Sequence, residues 1–397
     1  MGENKKNNYG AAIGLACIMF GSQFGPAVAS GTAVSAYNMQ AGWLALVLPL
    51  LPVLLLAWVG YWGIEVSRLT GQTSLVALIK ELFYPYDKIA SVVWDIGTLI
   101  LFPVVLGSAL SGCGTVISSI LGTGYTASLI ITIVLFALIG LYGRKIMAKL
   151  STIETIICLV IAAIFVIVCF GPGLENLGKA ISENDLGPDT GKGLKLVVMG
   201  CFIACQNISV GIASAGNVLK SKSDTKVAIF TYVILYGLLQ VLFGVCFFRL
   251  YPDIVSSSVP TLDVAKASGS AFVATSYPIM LLFAFLSTGP LYLFSLSDRW
   301  SKAGFWNKLD ENNTLRKNDN IRFTIVLIIV LAVAFAVAKL GFRFIMVEIV
   351  PRQWLFYCIM LAIPMGIFAP SRVGHMRKEL AETGHVTSAA EKRAAEQ

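Results

Sequence analysis

The chain reads as an all-α integral membrane protein of ten transmembrane helices in a five-plus-five inverted repeat, with helices one and six interrupted. Three observations carry that reading. Of 397 residues, 56% are hydrophobic and only 13% charged, with a mean hydropathy of +0.78; a soluble domain carries roughly 25% charge. Lys and Arg gather on one side of the apolar spans. Two spans half a chain apart carry similar Gly-rich interruptions.

Ten stretches of the length that a ~30 Å hydrocarbon core requires lie near 10–37, 41–66, 90–121, 126–143, 151–170, 193–219, 226–248, 270–297, 323–341 and 345–369. The domain plan is a cytoplasmic N-terminus 1–8, a transmembrane domain 9–370 with repeats at about 9–170 and 193–370, and a cytoplasmic tail 371–397. With the N-terminus inside, 22 of the 30 basic residues fall on the cytoplasmic side. They are Lys5, Lys6, Arg68, Lys80, Lys88, Arg144, Lys145, Lys149, Lys220, Lys222, Lys226, six within 299–322 and five in the tail. The positive-inside rule then places both termini in the cytoplasm. The net charge of +8 reports this topology and attraction to anionic lipid, not nucleic acid. Trp43, Trp62, Trp94 and Trp300 near span ends are the expected interfacial anchors.

The linker Gly171–Lys192, with Pro172, Pro188 and four acidic residues, is expected outside, between the halves. Splitting the chain near Asn184 makes the first five spans begin inside and the second five outside, so similar halves are inverted. Loop 68–89 is cytoplasmic, with a short amphipathic helix over Leu75–Phe83.

Several chemistries are excluded. Both histidines, His375 and His385, lie in the tail, so no intramembrane His serves as base, ligand or relay, and no enzyme is expected. The eight cysteines lie in spans as small hydrophobes; Cys201 and Cys205 share a helix face without nearby His or carboxylate. Met1–Ala29 has the outline of a signal peptide ending in Ala27-Val-Ala29, but Ser22-Gln23 and Gly25-Pro26 break its apolar core. Lys6 occupies the Ser/Thr position that N-myristoylation requires. The intramembrane carboxylates Glu65, Asp95, Glu154 and Glu348 all lie near span ends and are read as structural or gating groups.

The interruptions read Gly21-Ser-Gln-Phe-Gly-Pro-Ala-Val-Ala-Ser-Gly31 and Cys205-Gln-Asn-Ile-Ser-Val-Gly-Ile-Ala-Ser-Ala-Gly216. A broken helix in lipid leaves backbone groups unpaired, tolerable only where they line a cavity or bind something. Matched breaks in two halves point to a transporter's central site. The ten-span plan resembles the LeuT fold of the amino acid–polyamine–organocation superfamily over residues 9 to about 370. Gly25-Pro-Ala-Val-Ala-Ser-Gly31 further resembles the G-x-G-F-A-S-G signature of the YkvI-type amino-acid permeases, bacterial proteins of that fold. Thr32 and Ala33 stand where an acidic residue commonly follows in that family, so a bound amine would lack that carboxylate.

Read physically, half-helices ending near Phe24 and Gln206 leave free carbonyls, and those resuming near Ala29 and Gly211 present free N–H groups. That arrangement suits a zwitterion. Gly25, Gly31 and Gly211 permit close approach to backbone, and Gln23, Ser30, Gln206, Asn207 and Ser209 add neutral polar groups. Ser108 and Ser111 of span three, three residues apart, are further candidates to line the cavity. The competing reading is tight packing of small residues.

The resemblance also implies a coupling ion. Ala284-Phe-Leu-Ser-Thr288 resembles the A-x-x-[ST]-[ST] pattern that gives sodium-coupled LeuT-fold carriers one carbonyl and two hydroxyls. Gly21 and Phe24 would add carbonyl oxygens, so Gly21, Phe24, Ala284, Ser287 and Thr288 form the candidate sodium site. Span five has no Lys to replace the ion with a fixed ammonium. The expectation is a secondary active transporter of a small organic solute, an amino acid or related zwitterion, coupled to sodium or protons. It needs no cofactor beyond Na+, and its partners are solute and lipid bilayer. The expected location is the bacterial cytoplasmic (inner) membrane. The alternative is a non-transporting sensor or assembly partner.

Overall fold

A computed structural model describes residues 7–142, 144–308 and 314–396. Side chains at 26, 142–156, 308 and 316 fall outside that description, Glu154, Arg144, Lys145 and Lys149 among them, as do Lys5 and Lys6. The described chain is helical, with no strand.

The first half runs α1 (Tyr9–Gln23), α2 (Pro26–Ala29), a π turn Val34–Asn38 and a 3-10 segment Met39–Leu46. It continues with α3 (Leu50–Thr70), α4 (Leu75–Phe83), α5 (Asp87–Leu121), α6 (Tyr125–Tyr142) and α7 (Arg144–Ser182). The second half repeats the order with α8 (Thr190–Val218), α9 (Lys222–Phe247), α10 (Pro260–Ala267), α11 (Ala271–Ser301), α12 (Thr314–Lys317) and α13 (Asp319–Ala338). A final irregular span joins α14 (Phe342–Phe344), α15 (Trp354–Tyr357) and α16 (Ala369–Thr383), and α17 (Ala389–Ala395) ends the chain. Eight of these segments are long and apolar enough to cross a membrane, and two shorter apolar helices, Tyr9–Gln23 and Tyr125–Leu141, stand where spans one and four were expected.

Local chemistry sets many of the helix ends. Side chains of Asn8, Ser74, Asp189, Ser221, Ser270 and Asn318 cap N-termini by accepting backbone N–H groups. Ser221 and Asp224 complete a capping box. The expected helix over Leu75–Phe83 is present as α4.

Packing sorts the helices into two groups. α1, α3, α8 and α9 form one bundle; α5, α6, α11 and α13 form a second; α7 packs on both α9 and α11. Leu54, Ile100, Ile167 and Phe230 project outward from long helices. Such a surface belongs in lipid, where apolar exposure costs nothing. Both ends of the described chain share one face. The Asn8 N–H donates to Asp224 Oδ1 (2.8 Å), Thr225 Oγ1 donates to Glu65 Oε1 (2.6 Å), and Arg377 of the last span pairs with the same Glu65.

Three expectations change. Span six is not broken: α8 is continuous from Thr190 to Val218. Its small residues serve close helix packing instead, since a Cβ on Gly211 would stand 2.5 Å from Met19 Cγ of α1, and no proline removes an N–H. Regular helix is lost in the final span, in π turns at Ile345–Ile349, Cys358–Ala362 and Pro364–Phe368 and a 3-10 turn at Val350–Gln353. Pro351 and Pro364 there lack the N–H that an α-helix needs. Second, Gly171–Ser182 is helix, not linker; Gly173 lets α7 approach Val245, whose carbonyl oxygen would lie 2.1 Å from a Cβ. Third, Trp94 is buried and stacks on Phe356 at 5.5 Å, a core contact and not an interfacial anchor.

Candidate functional site

The break in span one has two parts with different fates. At the later part, Gly31 adopts φ +75°, and a Cβ there would lie 2.3 Å from Phe247 Cζ; only glycine fits both constraints. The polar groups on either side are satisfied by the loop around α10. The Ala29 carbonyl accepts from Thr261 Oγ1 and Tyr277 OH (3.0 Å each), the Ser30 carbonyl accepts from Thr261 N–H (3.1 Å), and Thr32 Oγ1 donates to the Ser258 carbonyl (3.0 Å). The Ser30 hydroxyl closes locally on the Ala27 carbonyl and Thr32. Ala29, Ser30 and Gly31 are thus occupied by protein, and the expected open N–H groups are not presented to a solute there.

At the earlier part, Phe24 and Gly25 separate α1 from α2, and Gln23, Ala27 and Val28 on either side of them line a cavity of about 90 Å³ that α8 and α9 also border. Gln23, Asn38, Asn207, Tyr236 and Gln240 supply its polar groups, and no charged side chain lines it. Gln23 Nε2 and Gln240 Nε2 both donate to the Tyr236 hydroxyl, at 3.3 and 2.7 Å. The two amide oxygens, Gln23 Oε1 and Gln240 Oε1, are buried with no hydrogen-bond partner. Turning either amide end for end lets the Tyr236 hydroxyl donate its own proton to that oxygen, so the three side chains form one polar network. The volume is well below the roughly 300–1,000 Å³ of an open ligand pocket, so a larger solute requires the helices to part.

The other named residues lie elsewhere. Ser108 Oγ donates to the Val105 carbonyl and Ser209 Oγ to the Gln206 carbonyl, both at 2.7 Å, turning inward on their own helices. Ser111 shares a hydrogen bond with Tyr125 OH (2.6 Å), which donates to the Ala338 carbonyl (2.8 Å); this ties α5, α6 and α13 together and does not face the cavity. The Gln206 side chain points to the Tyr292 hydroxyl of α11. Gly211 is the packing point against Met19 described above. Of the eleven expected solute residues, Gln23 and Asn207 line the cavity, with Gly25 at its break.

Asn38, Tyr236 and Gln240 were not singled out from sequence. Tyr236 and Gln240, four residues apart, form a polar pair on one face of an otherwise apolar span. That spacing was the available signal.

The three described carboxylates of this set are paired. Glu65 holds Arg68 (2.9 and 3.0 Å), Arg377 and Thr225; Asp95 pairs with Arg299; Glu348 lies 3.4 Å from Arg352. No cluster of three His, Cys, Asp or Glu suited to a metal occurs among the described residues. Ser287 Oγ donates to the Ala284 carbonyl (3.1 Å).

No family model and no curated protein matches the sequence. Solved structures do match in fold. A Na+-coupled sialic acid symporter in a substrate-bound outward-open state aligns with TM-score 0.60 at 14% identity, over 95% of this chain and 85% of its own. Mhp1, a nucleobase–cation-symport-1 family transporter in a closed conformation with bromovinylhydantoin bound, aligns with TM-score 0.53 at 15% identity, over 93% and 80%. These likenesses do not single out the amino acid–polyamine–organocation superfamily or the YkvI-type permeases. At such identity they speak to architecture, and the architecture of this chain is the LeuT-type transporter fold.

Proposed function

We propose that this protein is a secondary active transporter that moves a small organic solute by alternating access. The carrying observation is the break of span one at Phe24–Gly25, beside an uncharged cavity lined by the polar side chains of Gln23, Asn207, Tyr236 and Gln240. A static recognition module has little reason to keep a broken helix beside a polar cavity within a membrane domain. The resemblance of Gly25–Gly31 to amino-acid permeases supports an amino acid or related zwitterion as the first class to test. The basic-residue distribution supports cytoplasmic termini, and the bacterial inner membrane as the location.

Sodium is the coupling ion we favour, held by the carbonyls of Gly21, Phe24 and Ala284 and the hydroxyls of Ser287 and Thr288. The resemblance of Ala284–Thr288 and one contact between α11 and span one support this set. Tyr277 OH of α11 donates to the Ala29 carbonyl. This puts α11 against the break in span one, the side from which the resemblance of Ala284–Thr288 assigns the ion.

The test is uptake by the full-length protein in proteoliposomes under an imposed sodium or proton gradient, with a solute first shown to bind. Accumulation driven by sodium is the expected result. Binding without uptake, exchange or counterflow under either gradient, in liposomes of verified orientation, favours the sensor instead.

A further inference from the structure

We infer that a second cavity, at the face opposite the termini, is an entrance that draws its solute by a small oxyanion group, a carboxylate or a phosphate, through Lys192 and Arg343. The inference rests on the transporter reading only in calling the cavity an entrance; its preference for negative charge stands on the lining itself.

The cavity lies where the two helix groups meet. Its volume is about 550 Å³, within the roughly 300–1,000 Å³ of a small-molecule pocket. Lys192 comes from the first turn of α8, Thr115 and Tyr125 from α5 and α6, Ser258 from the loop ahead of α10, and Arg343 and Glu348 from the start of the last span. α8 belongs to one helix group, and α5 and α6 to the other, so the lining spans the seam between them. Its place opposite the termini is read along α5. Asp87, in the first turn of that helix, holds Arg393 of the tail, and Thr115 stands about 40 Å further along at ~1.5 Å per residue.

The polar groups of the lining divide into committed and uncommitted ones. Thr115 Oγ1 donates to the Ser111 carbonyl (2.9 Å), and Tyr125 OH to the Ala338 carbonyl (2.8 Å). Glu348 lies 3.4 Å from Arg352, which offsets its charge. Arg343 Nη1 donates to the Ser257 carbonyl (3.1 Å), which holds the guanidinium at one corner. Its other N–H groups, the Lys192 ammonium and the Ser258 hydroxyl have no hydrogen-bond or ion-pair partner among the described residues. Two neighbouring carboxylates are spent elsewhere: Asp189 caps the Lys192 backbone N–H (2.8 Å), and Asp263 accepts from Ser257 Oγ (2.5 Å). What the lining has to offer is therefore two cations and a hydroxyl. A guanidinium fork beside an ammonium matches the paired oxygens of a carboxylate or phosphate. Lys192 is exposed and Arg343 partly so, which leaves both within reach of an arriving solute, and a concave wall of protein focuses their field. A cationic solute meets only Glu348, already shared with Arg352.

The experiment places a thiol in the lining and reads the local charge with reagents of opposite sign. In the purified full-length protein, Cys17, the exposed cysteine, is replaced by Ser, and Ser258→Cys is added; the Cys17→Ser protein alone supplies the background. Modification rates are measured with an anionic and a cationic methanethiosulfonate and divided by their rates on a free small thiol. The normalised anionic-to-cationic ratio should exceed one several-fold and fall by roughly two- to fivefold in Lys192→Gln and in Arg343→Gln. High salt should flatten it. Propionate or methyl phosphate, at constant ionic strength, should slow modification by a neutral methanethiosulfonate where propylammonium does not, and the stronger of the two names the oxyanion. Because Arg343 also holds the Ser257 carbonyl, Arg343→Lys keeps the charge and loses the fork; it should retain the ratio and weaken the protection by the anion. A ratio at or below one, a ratio unmoved by both neutral variants, or protection by propylammonium alone overturns the inference, and sodium- or proton-driven uptake in the same preparation would leave transport standing. Charge preference and anion protection as expected, with no uptake in proteoliposomes, support the anion site and sink the transporter reading.

Discussion

Arg393, four residues from the end of the chain, hydrogen-bonds through Nε (3.1 Å) and Nη2 (2.7 Å) to the same Oδ1 of Asp87 at the first turn of α5. Around this pair the tail is built into the termini face. Glu81 Oε1 accepts the Ala389 N–H (2.8 Å), Tyr84 OH donates to Glu396 Oε1 (2.6 Å), and Lys392 and Arg393 lie over the Tyr84 ring. α4, which links the two helix groups by joining α3 to α5, is thus strapped by the last helix. Replacing Arg393 with Ala should speed amide exchange across 386–396 by roughly two- to fivefold, the range of partly exposed ion pairs. Asp87→Arg combined with Arg393→Asp should recover part of that protection. Unchanged exchange in the Arg393 variant would show that the pair does not hold the tail.

The tail also has a pH signature. Burial pushes the Glu81 carboxyl above its usual range despite its bonds to Ala389 and Gln72. Stability from an acid raised in this way is present at low pH and lost as pH rises through its folded value. Glu391, held down by the Ser388 backbone and side chain, and Glu396, held down by Tyr84 and Arg393, work in the opposite sense. Their contribution is present above the ordinary carboxylate range and lost as pH falls through their lowered values. Docking should therefore be tightest at mildly acid pH and loosen on both sides. Anisotropy of a fluorophore on Ala395→Cys, followed between pH 3 and 9, reads this directly. Glu81→Gln should flatten the alkaline limb alone; a monotonic profile in the unmodified tail contradicts the opposing signs.

Gly31 and Gly211 should separate backbone strain from side-chain crowding. At Gly31 a methyl meets a positive φ and the Phe247 ring together, so Gly31→Ala should cost roughly 2 kcal/mol or more. At Gly211 the nearest atom is the Cγ of a flexible methionine. Gly211→Ala should therefore cost less, and Met19→Ala should relieve much of that cost in the double variant. Melting temperatures in detergent decide it. Equal losses at the two sites, or no relief from Met19→Ala, would show that the crowding is set elsewhere.

Much of the fold was readable because membrane helices announce themselves by length and hydropathy, and span one announces its break with Gly25-Pro26 and Gly31. The echo between Ala27-Val-Ala-Ser-Gly31 and Gly211-Ile-Ala-Ser-Ala215 misled because small residues serve two ends. In α2 they permit a break, while in α8 they let a continuous helix press against Met19. Composition alone does not separate these uses. Tyr236 and Gln240 were passed over because their importance is relational: it appears only when Gln23, from the far end of the sequence, reaches the same hydroxyl. The same holds for Glu81, Asp87 and Arg393, ordinary surface charges until the tail folds back.

The ion set gives the last prediction. Ser287 and Thr288 are partly buried on α11, and the Ser287 hydroxyl donates to the Ala284 carbonyl, so two of the oxygen atoms assigned to sodium already meet. Sodium that binds only the folded state raises the melting temperature with concentration, by mass action. The unmodified protein should gain stability as NaCl replaces choline chloride at constant ionic strength. Ser287→Ala with Thr288→Ala should abolish most of that gain while lowering the sodium-free stability by no more than about 1 kcal/mol, since both hydroxyls sit on an intact helix. A control pair, Ser108→Ala with Ser209→Ala, removes two hydroxyls that bond only within their own helices and should leave the sodium response unchanged. If the Ser287 and Thr288 variant keeps its sodium response, the ion does not bind there. If no sodium response exists and a proton gradient alone drives uptake, the coupling belongs to a titrating group, and Asp95 with its partner Arg299 becomes the pair to test.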